Sequence, residues 1–209
     1  MHRTNLKIEL FNDCVMHLCR LNRILRQLGG NALLIGVGGS GKKSLVRLSS
    51  EMAGCLVSEI EPRRNCSLRE FRKEVFEKML YPAGVEGKPV TFLFTDNHVL
   101  QESFLEEVNN LITTGDMELE RDLMEKMKKD IELVMIQEKS ELEDKEFYIK
   151  RVRQNLHIIL AMSPVGNTLR TRLRNFPSFV NCCTVDWVDT WPDEALRSIA
   201  TKFIKEDMT

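Results

Sequence analysis

Residues 31–48 read Asn-Ala-Leu-Leu-Ile-Gly-Val-Gly-Gly-Ser-Gly-Lys-Lys-Ser-Leu-Val-Arg-Leu: an apolar run, a glycine-rich turn and an amphipathic stretch in succession. Asn31 to Ile35 has the length and composition of a fully buried strand. Gly36 to Gly41 forms the turn, and a helix is expected from about Lys42 to Met52. Strand, turn and helix in that order open an α/β unit. Gly36, Gly41 and Lys42 match the phosphate-loop pattern G-x-x-x-x-G-K, with Val37, Gly38, Gly39 and Ser40 between the glycines. The pattern has a physical reason. Glycines let successive N–H groups turn inward around a phosphate, the helix N-terminus adds partial positive charge, and the lysine reaches the terminal phosphates. The position after the lysine, where a Ser or Thr hydroxyl would hold Mg²⁺, is Lys43, and Ser44 comes one residue late. That departure argues against Mg²⁺ held at this position.

Working outward, Leu6, Leu10, Val15, Leu18, Leu21, Leu25 and Leu28 recur at helical spacing and predict a helix over 5–28, stopped by Gly29 and Gly30. Downstream, Cys55–Ile60, Val90–Phe94, Leu156–Ala161 and Cys182–Val185 read as strands. Ser67 is placed to N-cap a helix running to Tyr81, and further helices are expected over 101–113 and Thr168–Arg174. Trp191 and Pro192 open a last helix, with Pro192 suited to its first position. Between Asp116 and Arg153 the character changes, to 12 acids and 9 bases in 38 residues without Gly or Pro. This predicts one long or two consecutive helices, solvent-facing and outside the core. Only Leu123, Met127, Val134, Ile149 and Val152 form a thin apolar stripe there.

A phosphate loop needs an acidic partner at the end of a second buried strand, where a carboxylate can orient Mg²⁺ and an attacking water. Phe92-Leu-Phe-Thr-Asp96 supplies it, 54 residues after Lys42. Asn97 follows where a hydrolytic enzyme of this class places Glu; an amide can hydrogen-bond water but cannot take its proton. Ser163 ends the next strand and faces the same edge, as a phosphate or water sensor would. Arg170, Arg172 and Arg174 crowd the helix after it, either as a solvated basic face or as the source of an arginine finger for a neighbouring subunit's phosphate. Cys182–Cys183 read as core, and Phe92, Phe94, Trp187 and Trp191 as core or subdomain packing, not stacking platforms.

Composition bounds the rest. The chain has 209 residues, 43% apolar, with 30 Lys+Arg against 31 Asp+Glu and a formal net charge of −1. That is enough for one large domain with its own core. It carries no electrostatic footprint of a nucleic-acid-coating protein. No apolar run reaches the ~18 residues that span a bilayer, and Met1–Leu10 lacks the apolar region of a secretory signal. Cys14, Cys19, Cys55, Cys66, Cys182 and Cys183 form no Cys-x-x-Cys pair, and are expected to be reduced, mostly buried thiols of a cytosolic compartment. His2, His17, His98 and His157 have no zinc-ligand spacing.

Taken together, residues 31–48, 92–112 (FLFTDNHVLQESFLEEVNNLI) and 155–187 resemble the fourth AAA+ module of axonemal dynein heavy chains. The helix around residues 17–26 and the closing Trp191-Pro192 fit as well, so the resemblance covers nearly the whole chain. It implies a single module over 1–209, a P-loop NTPase three-layer α/β sandwich with a mainly parallel sheet in the strand order 5-1-4-3-2. The N-terminal helix would be 5–28, the nucleotide core 31–115 and 155–209, and the charged helical insert 116–153. It implies ATP or ADP as cofactor. Partners would be the other AAA+ modules of a dynein ring and dynein complex subunits, with microtubules reached only indirectly and neither nucleic acid nor membrane involved. The setting would be cytoplasm, cytoskeleton and the axoneme of a cilium. By position, Gly36–Lys42 match the family's phosphate loop, Asp96 its second acidic, metal-side motif, Ser163 its first sensor, and Arg172 or Arg174 its finger region.

This sequence departs from the family pattern at Asn97 and after Gly115, where a Pro-Asn-Leu and a following acidic stretch are missing. It reaches Thr209 without the helical lid, and is expected to be a fragment, an isolated module or a truncated relative, not a motor by itself. Two readings stay open within the family: a module that holds nucleotide and regulates the ring, and one that hydrolyses ATP. Outside it stands a small P-loop kinase, which would need an acceptor site and a lid arginine cluster that do not stand out.

Overall fold

The structure, a computed structural model, describes residues 11–61, 66–193, 195–197, 200–201 and 204. The strands are β1 Ala32–Ile35, β2 Leu56–Ser58, β3 Val90–Thr95, β4 Leu156–Met162 and β5 Thr184–Trp187. The helices include α1 Asn12–Leu25, α2 Lys42–Ala53, α3 Leu68–Val75, α4 Tyr81–Gly84, α5 Glu102–Thr114, α6 Arg121–Glu138, α7 Asp144–Asn155, α8 Thr168–Asn175 and α9 Ser178–Asn181. All strand pairings are parallel, in the order β2-β3-β4-β1-β5. Read from β5, this is the expected 5-1-4-3-2. Every residue of β1, β3 and β4 is buried, the mark of strands covered on both faces.

Alternation along the strands divides the core into two layers. Ala32, Leu34, Leu93, Ile159 and Ala161 face α1 and α2, meeting Leu18, Leu21, Leu25, Leu45 and Val46. Leu33, Ile35, Phe92, Phe94, Ile158 and Leu160 face the other way, toward α3, α5 and α7. The fold is therefore a three-layer α/β sandwich. No described helix is long and apolar enough to cross a membrane.

Several local expectations shift. Residues 5–10 lie outside the described residues, and α1 ends at Leu25, with Gly29 at φ +66° turning the chain toward β1. Ser67 N-caps α3 through a capping box with Glu70, as its spacing predicts. The helix does not run unbroken to Tyr81; it widens into a π-helical turn over Phe76–Leu80 before α4. Pro82 follows, with no N–H to continue an α pattern. β5 begins at Thr184, not Cys182. Of the two cysteines only Cys183 is core, its thiol pushed up to about 12 by burial, while Cys182 is exposed. Trp187 is not core either. It is 58% exposed on an edge strand, on the face opposite α1.

The segment 116–153 departs most from its expected solvent-facing role. Its charges are mostly exposed, but Met117, Met127, Ile131, Phe147, Tyr148 and Val152 are buried in the main core, with Leu123, Val134 and Ile149 packed against it. α7 docks closely on α4. A Cβ added at Gly84 would lie 2.3 Å from the Tyr148 ring, so only glycine admits this approach. Arg151 Nε then donates to the Gly84 carbonyl at 2.7 Å, and Arg153 Nη2 to that of Thr113 at 2.7 Å.

On the other layer, α1 is held to β5 by a charged cluster. Asp186, 3% exposed, accepts from Arg20 Nη1 at 2.9 Å and lies 2.7 Å from His17 Nδ1. A buried carboxylate is tolerable only with such partners.

Two tests follow from this packing. Gly84→Ala should lower stability by about 1–3 kcal/mol through overpacking against Tyr148, read from the denaturant midpoint. Deleting 116–153 should abolish cooperative unfolding; retained cooperativity would show α6 and α7 to be dispensable. A third expectation concerns pH. His98 Nδ1 accepts the Thr95 N–H at 3.1 Å, and His157 Nδ1 donates to the Gly30 carbonyl at 2.9 Å. Burial holds the pKa of both imidazoles below the ordinary histidine value. An unfolded histidine takes its proton near ~6.5, so below that pH the unfolded chain binds more protons than the folded one. Their contribution is therefore complete above pH ~6.5 and shrinks on acidification toward the folded pKa values. The melting temperature should fall from about pH 7 to 5, and His98→Asn with His157→Asn should flatten that slope.

Candidate nucleotide site

β1 hands the chain to the glycine loop at its C-terminal end. The Gly36 N–H still donates to Met162 O at 3.1 Å, extending the ladder one residue beyond the strand. A Cβ at Gly36 would stand 2.4 Å from the Val188 carbonyl oxygen and 2.9 Å from Ser40 Oγ, so the turn closes only with glycine there. Gly41, at φ +84°, N-caps α2 without a side-chain hydrogen bond. The first N–H groups of α2 therefore have no side-chain cap and open onto the loop, the arrangement that suits an anion. Gly38 and Gly39 are exposed at the crown, Val37 is half-buried, and Ser40 is buried.

Lys42 is folded into this loop. Its Nζ donates to Gly36 O at 2.6 Å, Val37 O at 2.8 Å and Ser40 Oγ at 3.2 Å. Burial pulls its pKa below the ordinary lysine value, and the nearby Asp96 carboxylate works in the opposite direction. Lys43 leaves the loop altogether, its Nζ 3.6 Å from Glu59 Oε2, a carboxylate it shares with Arg47. Ser44 is half-buried in the first turn of α2.

Asp96 follows directly on β3, one strand away from β1 across β4. Its Oδ2 accepts the Ser163 N–H at 2.7 Å, and its Oδ1 accepts from Arg172 Nη1. Asn97 is exposed. The Ser163 Oγ accepts the Val165 N–H at 3.4 Å, turned into its own loop. Arg172 reaches back from α8 with a side chain only 15% exposed, its Nη1 also 3.5 Å from Met162 Sδ. Arg170 and Arg174 are exposed.

The strand ends thus bring Gly36–Lys42, Asp96, Ser163 and Arg172 to one edge, and leave Lys43 and Arg174 outside that cluster. Sequence reading missed two features. Arg172 meets a carboxylate of its own chain 76 positions away, for which no local signal exists. Trp191 lies with its ring 3.4 Å from where a Gly41 Cβ would stand, and 5.6 Å from the Phe11 ring centroid. It packs over the head of α2. The donor set does not fit Mg²⁺. Each Asp96 oxygen already accepts a hydrogen bond, so a metal ion would compete with Arg172 and the Ser163 N–H for it, and Lys43 stands where a hydroxyl ligand would be.

The family model described as "P-loop containing dynein motor region D4" matches residues 6–209. Human dynein axonemal heavy chain 1 is 45% identical over 213 aligned residues, covering 99% of this chain and 5% of that protein. Human dynein axonemal heavy chain 6 is 42% identical, over 96% of this chain and 5% of its own length. The dynein-1-alpha heavy chain of the flagellar inner arm I1 complex of Chlamydomonas reinhardtii is 43% identical, over 98% and 4%. This chain belongs to the family of P-loop dynein motor region D4 modules. It spans about a twentieth of the length of the relatives it matches.

Gly36→Ala tests the loop geometry. A methyl group there meets backbone and not a flexible side-chain end, so the loop must move. The variant should lose stability by about 1–3 kcal/mol in thermal or denaturant unfolding. Gly38→Ala, whose Cβ meets nothing within 4 Å, should be close to neutral.

Proposed function

We propose that this chain is a nucleotide-binding AAA+ module of a dynein heavy chain motor ring. It holds ATP or ADP in the loop Gly36–Lys42, and its occupancy biases the ring's conformation in microtubule-based movement of cilia. The observation that carries this reading is the glycine turn at the head of α2, with the Lys42 ammonium seated inside it and Asp96 nearby. Lys42 would leave its own loop carbonyls for phosphate oxygens, and the uncapped N–H groups of α2 would take the same phosphate.

Regulation fits the site better than turnover. Asn97 cannot accept a proton from water, and general-base assistance is typically worth ~10²–10⁴-fold. Arg174, exposed on α8, is the arginine we assign to a neighbouring module's nucleotide. That role needs an adjoining module, and such a group contributes ~10³–10⁵ in rate. Other AAA+ modules and dynein complex subunits are the partners of this reading, with the ciliary axoneme as its setting.

The test is a fluorescent-nucleotide titration with a parallel phosphate-release assay. The chain should bind ATP and release phosphate negligibly. Lys42→Ala should weaken binding by about 1.5–3 kcal/mol while its circular dichroism is unchanged. Steady multiple turnover, abolished by Lys42→Ala, would make the module an ATPase; equal affinity in both chains would reduce the loop to a turn.

A further inference from the structure

We propose that Arg172 occupies the place of the divalent cation at this site, so that the module takes a nucleoside di- or triphosphate without magnesium. The inference rests on the nucleotide-binding reading above and goes beyond it. Each oxygen of the Asp96 carboxylate is already engaged by a protein donor: Arg172 Nη1 on Oδ1, and the Ser163 N–H on Oδ2 at 2.7 Å. A magnesium ion demands near-octahedral oxygen ligation and gives up its waters reluctantly. On Asp96 its divalent charge would stand directly against the Arg172 guanidinium, whose side chain is 15% exposed, or displace it. The position that normally adds a hydroxyl ligand carries Lys43, whose ammonium is drawn away to Glu59.

Arg172 is equipped for phosphate. A guanidinium presents five N–H donors in a planar fork that matches phosphate oxygens, and it keeps its charge at any working pH. The bond to Asp96 is made through Nη1. Asp96 is then a positioning residue: it holds Arg172 at the edge where Lys42 and the head of α2 also converge. Two fixed cations and a helix N-terminus supply the counter-charge that a bound metal would otherwise bring.

The experiment is a titration of the full chain with ATP and with ADP, each in excess magnesium chloride and in EDTA, repeated for Arg172→Met and Arg172→Lys. Wild-type affinities in the two buffers should agree within about threefold. Arg172→Met should bind roughly ten- to a hundredfold more weakly in EDTA, and magnesium should restore part of the loss because Asp96 is released. Arg172→Lys, which keeps the charge without the fork, should fall between them in EDTA. A wild-type loss above tenfold on removing magnesium overturns the proposal, as does unchanged binding by Arg172→Met in EDTA. So does a loss in Arg172→Met that magnesium does not relieve, since the arginine would then serve only the fold. Should Arg172→Met fail to melt cooperatively, the wild-type comparison and Arg172→Lys decide. If the wild-type chain binds neither nucleotide in either buffer, the nucleotide-binding reading itself falls, and this inference with it. Magnesium-dependent binding removes this inference alone.

Discussion

Strand β1 has neighbours on every side: β4 and β5 along its edges, α1 and α2 on one face, and on the other the core that Leu33 and Ile35 share with Phe92 and Phe94. Four residues, Ala32 to Ile35, make all of these contacts and leave no surface to water. The parallel register that follows is strict, because a one-residue slip would exchange the two faces of the core. Ile35 pairs with Met162, so the glycine loop leaves the sheet level with the end of β4 and beside Ser163. β3 pairs with β4 through Thr95 and Ala161, which carries Asp96 to the same edge. The chemistry of the site is thus a product of strand alignment, with loops and helices adding side chains to a line already drawn.

The second layer depends on a close approach of another kind. α7 carries Phe147, Tyr148 and Val152 into the core against α4, where Gly84 gives way to the Tyr148 ring. The Tyr148 hydroxyl is buried without a hydrogen-bond partner in the structure, and burial drives its pKa far above the ordinary tyrosine value. Such a group stays neutral. The ring area it brings outweighs an unsatisfied hydroxyl, which costs about 1–3 kcal/mol.

Legibility followed the range of the interactions. The buried strand, glycine turn and helix of residues 31–48 are local, and their order was readable from composition alone. The strand order came with the family resemblance. The capping box at Ser67 was readable from a three-residue spacing. Residues 116–153 misled because charge density dominates their composition. Three large apolar side chains on one flank of α7 suffice to seat that flank in the core, and the glycine that receives Tyr148 and Val152 lies in a different segment. Trp187 keeps only one of its two readings: its exposure on an edge strand rules out core and leaves packing against another subdomain. The pairing of Arg172 with Asp96 spans 76 positions and depends on how α8 returns over the sheet. No periodicity encodes that.

The clamp between α1 and Asp186 has a mechanical reading. Asp186 sits in β5 opposite Leu34 of β1, and that pairing extends through Ile35 and Trp187 to the threshold of the glycine loop. A pull on α1 along the strand axis reaches β5 through two side chains anchored in a buried carboxylate. It then crosses to β1 as shear, which the parallel hydrogen bonds resist together and not one after another. The clamp thus ties α1 to the strand pair that ends at the mouth of the phosphate loop, beside the direct packing of Leu18, Leu21 and Leu25 on Ala32 and Leu34.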